Sequence, residues 1–141
     1  MKRSWIVVLL LLLPLLMAMG PMKGEAPPDR IPVPAKKFTA VFIDQTDFST
    51  ECRDVSIEGG TYLEGKRGEG LHTVSFEQIE SILFRFSSGT LYAVVKLRDG
   101  GSVELAVDKD HRAYGTTKYG TFQIRLGDLK KMALGAGPSK P

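Results

Sequence analysis

The chain has 141 residues, of which 43% are hydrophobic and 25% charged, with a formal net charge of +3 and a pI near 9.0. Six of the 19 basic residues but only two of the 16 acidic ones lie outside residues 37–134, so this central region has a net charge of −1. This distribution argues against a nucleic-acid-binding surface on the central region, because such a surface requires clustered positive charge.

The N-terminus carries two basic residues followed by an unbroken apolar run over residues 5–19. This layout is typical of an export signal. The run is shorter than the roughly 20 residues that a membrane-spanning helix needs, and Pro14 interrupts it. A cut after Gly20 would leave Pro21 at the new N-terminus, which signal peptidases disfavour. Residues 1–20 are therefore predicted to be a helical signal peptide or an uncleaved N-terminal anchor.

Proline divides the rest of the chain into three parts. Residues 21–36 hold five of the eight prolines and are predicted to form a disordered linker that favours an extended conformation. Residues 37–134 contain no proline and have the length of a single domain. The Gly- and Pro-containing residues 135–141 are predicted to be a disordered tail.

The central region alternates apolar and polar residues in short runs separated by glycine, which is typical of antiparallel strands with one buried face. Val103, Leu105 and Val107, for example, alternate with polar or small residues. Gly59-Gly60 and Asp99-Gly100-Gly101 have the composition of tight hairpin turns. Ten strands are predicted, over residues 38–44, 52–57, 61–64, 71–76, 81–86, 91–97, 102–107, 113–117, 121–126 and 130–134.

Residues 70–84 and 120–134 form a weak repeat with an offset of 50. Each copy begins with a glycine, continues as an alternating strand, breaks for one turn at residues 77–78 or 127–128, and resumes as an apolar stretch. A short helix is the alternative for the last part, because its apolar residues also have helical spacing. The sequence thus predicts an all-β domain, either an antiparallel β-sandwich or a small barrel, with two pseudo-equivalent halves and one short helical turn in each.

Signals for a metal or a reactive side chain are sparse. Cys52 is the only cysteine, so it is either a buried apolar residue or a thiol for an intermolecular bridge. His111 follows two aspartates in residues 108–112, a grouping that lacks the further oxygen ligands of a calcium loop and is interpreted as a solvated hairpin tip. His72 is interpreted as a strand side chain. No metal or cofactor is expected.

Two segments have compositions that can bind ligands. The glycine-rich residues 65–70 lack the Ser or Thr and the helix that follow a phosphate-binding loop, and they are interpreted as a hairpin connection. A second segment combines cations with aromatic rings, which can contact glycans or acidic polymers through charge and stacking. The predicted partner-facing patch consists of Arg112, Tyr114, Lys118 and Tyr119.

The chain contains none of the common catalytic motifs, so an enzyme is not expected. The leading hypothesis is a non-catalytic binding module of the bacterial cell envelope, periplasmic or secreted, whose partner is an envelope protein or a glycan. It would contact the membrane only through residues 5–19, if these residues are not cleaved. The alternatives are a self-associating structural protein, in which an exposed strand edge and Cys52 support homo-oligomers, and a hydrolase with a dispersed site.

Overall fold

The structure is a computed structural model that describes residues 31–135. The predicted signal or anchor over residues 1–20 lies outside the described residues, as do residues 21–30 of the linker and residues 136–141 of the tail. The described part consists of ten β-strands and two single-turn 3₁₀ helices. Within it, no helix is long and apolar enough to cross a membrane.

All ten predicted strands are present, although several begin or end at different residues. β7 has the predicted bounds, whereas β2 begins three residues earlier than predicted and β3 continues three residues further. The strands are β1 (Thr39–Asp44), β2 (Ser49–Ile57), β3 (Tyr62–Arg67), β4 (Gly70–Ser75), β5 (Ile79–Ser87), β6 (Thr90–Leu97), β7 (Ser102–Val107), β8 (Arg112–Thr117), β9 (Gly120–Arg125) and β10 (Leu129–Leu134).

The glycine-rich residues 65–70 are only in part the hairpin connection that the sequence indicated. Gly65 lies within β3. A Cβ atom at this position would come within 2.8 Å of the Cβ of Leu105 on the neighbouring β7, so only glycine fits without a shift of the strands. The absence of a side chain lets the two strands approach closely. The turn itself is confined to residues 68–69, and Gly68 has a φ of +64°.

The strands form one antiparallel sheet in the order β4-β3-β7-β6-β5-β10-β1-β2-β8-β9. The sheet curls into a half-barrel, and β4 and β9 are its two edges. The predicted all-β antiparallel fold is confirmed, and the two halves of the core belong to one continuous, curled sheet.

The predicted repeat is a two-fold pseudo-symmetry of the sheet. β5 and β10 are adjacent at its centre, and Ile82 pairs with Met132, the residue 50 positions later. The pseudo-symmetry axis therefore passes through this pair. The predicted one-turn breaks are the 3₁₀ helices Phe76–Gln78 and Leu126–Asp128, and a strand follows each of them instead of a longer helix.

Backbone hydrogen bonds repeat with the same offset. The amide of Phe76 donates to the carbonyl of Thr61 at 3.0 Å, and the amide of Leu126 donates to the carbonyl of His111 at 2.8 Å. Donor and acceptor are both 50 residues apart between the two copies. The two repeats therefore share local backbone structure as well as a pattern of apolar residues.

A single core joins the two halves of the chain. In the sheet order, β3 and β4 lie beside β6 and β7, whereas β8 and β9 lie beside β1 and β2. Equivalent residues of the two repeats are buried in the same core, at 0–8% exposure: Phe76 and Leu126, Ile79 and Leu129, Ile82 and Met132, Phe84 and Leu134. Because β6 and β7 lie in the same half of the sheet as β3–β5, and β1 and β2 lie in the same half as β8–β10, neither the first five strands nor the last five can bury their apolar faces alone.

Chain segments just outside the strands also pack on the domain. Pro34 is buried, and the ammonium of Lys36 lies 2.5 Å from a carboxylate oxygen of Glu77. Packing therefore begins inside the segment predicted as a linker. At the other end, the amide of Gly135 donates to the carbonyl of Thr39 at 2.9 Å. Gly135 therefore lies beside the start of β1.

Candidate functional site

The best candidate site is a groove along one flank of β2. On its other flank, β2 pairs with β1 through residues 49–53. On the groove side it pairs with β8 only from Arg53 onward, where Arg53 lies opposite Thr116. Within the described part of the chain, residues 49–52 have no strand partner on this flank. We call the space beside them the β2 groove.

The β2 groove is open to solvent and has a volume of about 490 Å³. Residues 48–51 line one side and residues 117–119 line the other. It adjoins a second depression of about 470 Å³ with which it shares Glu51, Thr117 and Lys118. This second depression continues toward Thr39 at the start of β1 and Gly135 just after β10.

The turn between β1 and β2 presents Phe48 at one end of the groove. The side chain of Asp44 accepts hydrogen bonds from the amide of Thr46 at 2.8 Å and from the amide of Phe48 at 3.0 Å. It also accepts one from the Thr46 hydroxyl at 2.6 Å, and these bonds lower the pKa of the Asp44 carboxyl. The ring of Phe48 remains 67% exposed. The Asp44 carboxylate therefore orders this turn, and Phe48 within it faces solvent.

The turn between β8 and β9 presents Tyr119 at the opposite side of the groove. Thr117 orders this turn, because its hydroxyl donates to the carbonyl of Gly120 at 3.1 Å and accepts from the amide of Tyr119 at 3.0 Å. Tyr119 is 88% exposed, and the Lys118 ammonium lies 5.3 Å from the centre of its ring. The turn thus offers an aromatic ring with a cation beside it.

Two of the four residues of the patch predicted from the sequence line the β2 groove. Lys118 and Tyr119 line the β2 groove, whereas Arg112 and Tyr114 lie further back along β8. Lys118 lies six positions after Arg112, which corresponds to roughly 20 Å along an extended chain. The Arg112 guanidinium instead donates to the side chain of Gln123 on β9 at 3.1 Å. Only two of the four residues line the β2 groove, and a role for each of the four in partner binding stays a prediction.

Cys52 is buried in β2 against β8. It is 5% exposed, and burial raises the pKa of its thiol to about 11. A Cβ atom on Gly115 would come within 2.6 Å of the Cys52 Cβ, so the two strands are in close contact here. These features favour the buried alternative of the two that the sequence left open, because an intermolecular bridge requires an accessible thiolate.

Neither histidine belongs to a metal-binding cluster. His111 lies 3.5 Å from the carboxylate of Asp108, in the connection between β7 and β8. The prediction of a hairpin here was wrong, because β7 and β8 are not neighbours in the sheet and the chain crosses from one half of the sheet to the other. His72 is exposed on the edge strand β4. Over residues 31–135, no three His, Cys, Asp or Glu side chains are grouped so that they could hold a metal ion.

Sequence reasoning did not identify Phe48 or the open flank of β2. Phe48 is the one aromatic residue in a polar turn segment, Asp-Gln-Thr-Asp-Phe-Ser-Thr, and this isolation was the available signal. The open flank gives no local signal, because it depends on where a strand 60 residues later turns back.

Comparisons with known proteins extend over most of the chain but give no activity. A protein-family model described as "Uncharacterised protein" matches residues 34–137. No curated protein and no solved structure gives a match.

Proposed function

The chain belongs to the family described by that model, and we propose that it is a non-catalytic binding module of the bacterial cell envelope. The proposed partner is an envelope protein or a glycan that contacts the β2 groove. The observation that carries this proposal is the presence of two exposed aromatic rings, Phe48 and Tyr119, on the walls of one open groove. Ordered turns that expose aromatic side chains to water are a typical feature of binding surfaces.

The chemistry of the groove is suited to binding. Its charged lining residues are Glu51 and Lys118, and its polar ones include Ser49, Thr50 and Thr117. General acid–base catalysis needs a titratable group whose pKa is matched to the reaction, and nucleophilic catalysis needs an activated nucleophile. The neighbouring thiol of Cys52 is held protonated by burial, which argues against its use as a nucleophile.

The envelope location rests on the N-terminal sequence. The basic residues and apolar run of residues 1–20 favour export, and the residues up to Pro34 would separate the domain from a membrane if the run is retained. The domain is then periplasmic or secreted after cleavage, or anchored to the inner membrane without it. N-terminal sequencing of the mature protein distinguishes these fates.

Site-specific photocrosslinking tests the binding function. A benzophenone amino acid replaces Tyr119 in the full chain, which is expressed in its source cells and irradiated. We expect a crosslinked species that disappears when Phe48→Ser is added. The matched control places the same amino acid at Tyr62, a 44% exposed aromatic residue on β3 that does not line the groove. Equal crosslinking at both positions, or none at Tyr119, would contradict a specific site in the groove.

Self-association is the second candidate function, and the edge strand β4 favours it. β4 has no charged residue and no proline, and Leu71 on it is 62% exposed. Unprotected edges of this kind can pair with a second copy. Light scattering of the full chain in detergent tests this function, and Leu71→Lys should reduce any oligomer. Because Cys52 is buried, reductant should have no effect.

A further inference from the structure

We propose that the β2 groove binds an extended polypeptide segment of a partner protein, which adds to the sheet as a strand beside residues 49–52. This inference rests on the proposed binding function and assigns the groove a ligand class, a peptide in the extended conformation. The segment is acidic and carries apolar side chains, for reasons given by the lining of the groove. It would lie in line with β8, beyond the turn at which β8 ends.

The backbone of β2 provides the first argument. Strand residues direct their N–H and C=O groups alternately to the two sides, so about two of residues 49–52 direct theirs into the groove. β1 satisfies the other flank of the same residues. Backbone groups at a strand edge form regular hydrogen bonds with another extended chain, which is how peptides add to exposed sheet edges. A glycan offers hydroxyl groups without the matching spacing along the strand.

The fold creates this open flank by two features. β2 has nine residues and β8 has six, so β8 turns back while β2 continues. The pairing between them is also interrupted by a bulge between Arg53 and Ser56, where Asp54 has a φ of +52°. Bulges increase the local twist of a strand and change the direction of its edge. The open flank of β2 therefore results from the strand lengths and the bulge, which belong to the sheet itself.

The pseudo-symmetry of the sheet provides an internal comparison. The turn that carries Phe48 has an equivalent between β6 and β7. In the first turn, the amide of Asp44 donates to the carbonyl of Phe48 at 3.1 Å, and in the second, the amide of Leu97 donates to the carbonyl of Gly101 at 2.8 Å. Gly101 thus stands where the β2 groove has Phe48.

The second turn differs in the same way. At the offset of 50, Lys118 and Tyr119 correspond to Gly68 and Glu69. Only one of the two related positions therefore combines two aromatic residues with a cation. The backbone arrangement alone does not require these side chains, and their concentration beside one open strand edge points to a ligand at that edge.

The side chains of the groove define the ligand more closely. Phe48 and Tyr119 are exposed apolar surfaces that can pack against apolar residues of an added strand. Lys118 and Glu51 line the groove with opposite charges, and Arg53 lines the adjoining depression, so the two depressions together have one excess positive charge. An acidic segment is therefore favoured.

Random seven-residue peptides displayed on phage serve as the probe. They are selected on the immobilised full chain in detergent and counter-selected on the Phe48→Ser, Tyr119→Ser double variant. We expect enriched peptides that alternate apolar and polar residues and include an acidic residue. Failure to enrich any peptide that prefers the wild type would overturn the proposal.

Backbone methylation then tests the binding mode. Each selected peptide is synthesised with N-methyl groups on its odd residues or on its even residues, which leaves the side chains unchanged. Because an added strand directs alternate amides to β2, one series should lose at least about tenfold in affinity and the other should lose little. Equal effects in the two series would exclude strand addition, while specific crosslinking at Tyr119 would still support a binding function.

Protein variants and hydrogen exchange complete the test. Lys118→Glu should weaken an acidic peptide by about two- to fivefold and reduce the dependence of affinity on salt. Phe86→Ser, at another exposed aromatic residue outside the groove, is the matched control and should leave affinity unchanged. Peptide binding should also slow the exchange of alternate amides in residues 49–52. Protection that is absent from β2 would contradict the proposed position of the strand.

Discussion

Replacing Gly115 with alanine should destabilise the domain, because β8 and β2 are in close contact at this residue. The added Cβ would lie 2.6 Å from the Cβ of Cys52, 3.0 Å from its Sγ and 3.2 Å from a methyl carbon of Val55. Carbon atoms in contact are ordinarily about 3.5–4.0 Å apart, so the strands would have to separate by roughly 1 Å. Forced repacking of a core costs about 1–3 kcal/mol.

An opposing contribution reduces the expected effect. Alanine restricts the unfolded chain more than glycine does, which stabilises the folded state by about 0.4–1 kcal/mol where the backbone permits it. At the middle of both ranges, the net loss for Gly115→Ala should therefore be about 1.3 kcal/mol. Gly70→Ala is the matched control, because the nearest atoms to its added Cβ are 3.6 and 3.7 Å away and β4 is an edge strand. This control should leave stability unchanged or slightly higher.

A double-mutant cycle identifies the contact. Cys52→Gly removes the side chain that the added methyl group at position 115 would meet, so the Cys52→Gly, Gly115→Ala pair should lose at least about 1 kcal/mol less than the sum of its single variants. Urea unfolding followed by far-UV circular dichroism gives each free energy of unfolding by linear extrapolation. Additive effects, or a Gly115→Ala variant as stable as Gly70→Ala, would refute the close packing of β2 against β8.

Two further changes test the buried polar groups of β2. Because burial raises the pKa of the Cys52 thiol from 9.0 to about 11, the thiol ionises in the unfolded chain before it does in the folded one, and the free energy of unfolding should fall by about 2–3 kcal/mol as the pH rises through this window. The loss should be missing from Cys52→Ala in parallel urea titrations, and equal slopes for the two proteins would argue against a buried thiol. The Ser56 hydroxyl is fully buried and has no hydrogen-bond partner among the described residues, so Ser56→Ala should leave stability unchanged or raise it by about 1 kcal/mol. A loss above about 1 kcal/mol on thermal or urea unfolding would show that the hydroxyl has a partner.

The duplicated sheet links the fold to the proposed site. The pairing of Ile82 with Met132 places the two repeats around one axis, and the β3–β4 and β8–β9 hairpins lie at opposite edges of the sheet. Such an arrangement repeats the backbone at two positions while the surface residues at each position can diverge. The contrast of Lys118 and Tyr119 with Gly68 and Glu69 is one such divergence, and the proposed site lies at only one of the two related positions.

Much of the fold was accessible from the sequence, because its signals are local. β7 was predicted with its observed bounds, since Val103, Leu105 and Val107 alternate with other residues over the whole strand. The start of β2 was missed because Ser49, Thr50 and Glu51 are polar and belong to the strand through pairing with β1. Alternation of apolar and polar residues indicates a strand with one buried face. A strand segment that is held mainly by backbone hydrogen bonds does not show this alternation.

The candidate site was accessible only in part. Lys118 and Tyr119 were identified by their composition, but Arg112 and Tyr114 were grouped with them by nearness in sequence. Residues close in sequence lie far apart when they belong to an extended strand. Arg112 is the first residue of β8, at the end of the strand opposite the groove. Phe48 was missed because an aromatic residue in a turn can be buried or exposed, and the hydrogen bonds of the Asp44 side chain determine which.

By itself, the sequence determined the all-β class, the ten strands, the repeat and the apolar residues that form the core. These properties follow from alternation and from turn residues within a few positions of one another. Only the tertiary structure decided the strand order, the pairing of Arg53 with Thr116 and the open flank of β2 beside Phe48 and Tyr119. The physical reason is that strand pairing joins segments some 60 residues apart, and the register between them depends on the packing of the whole core.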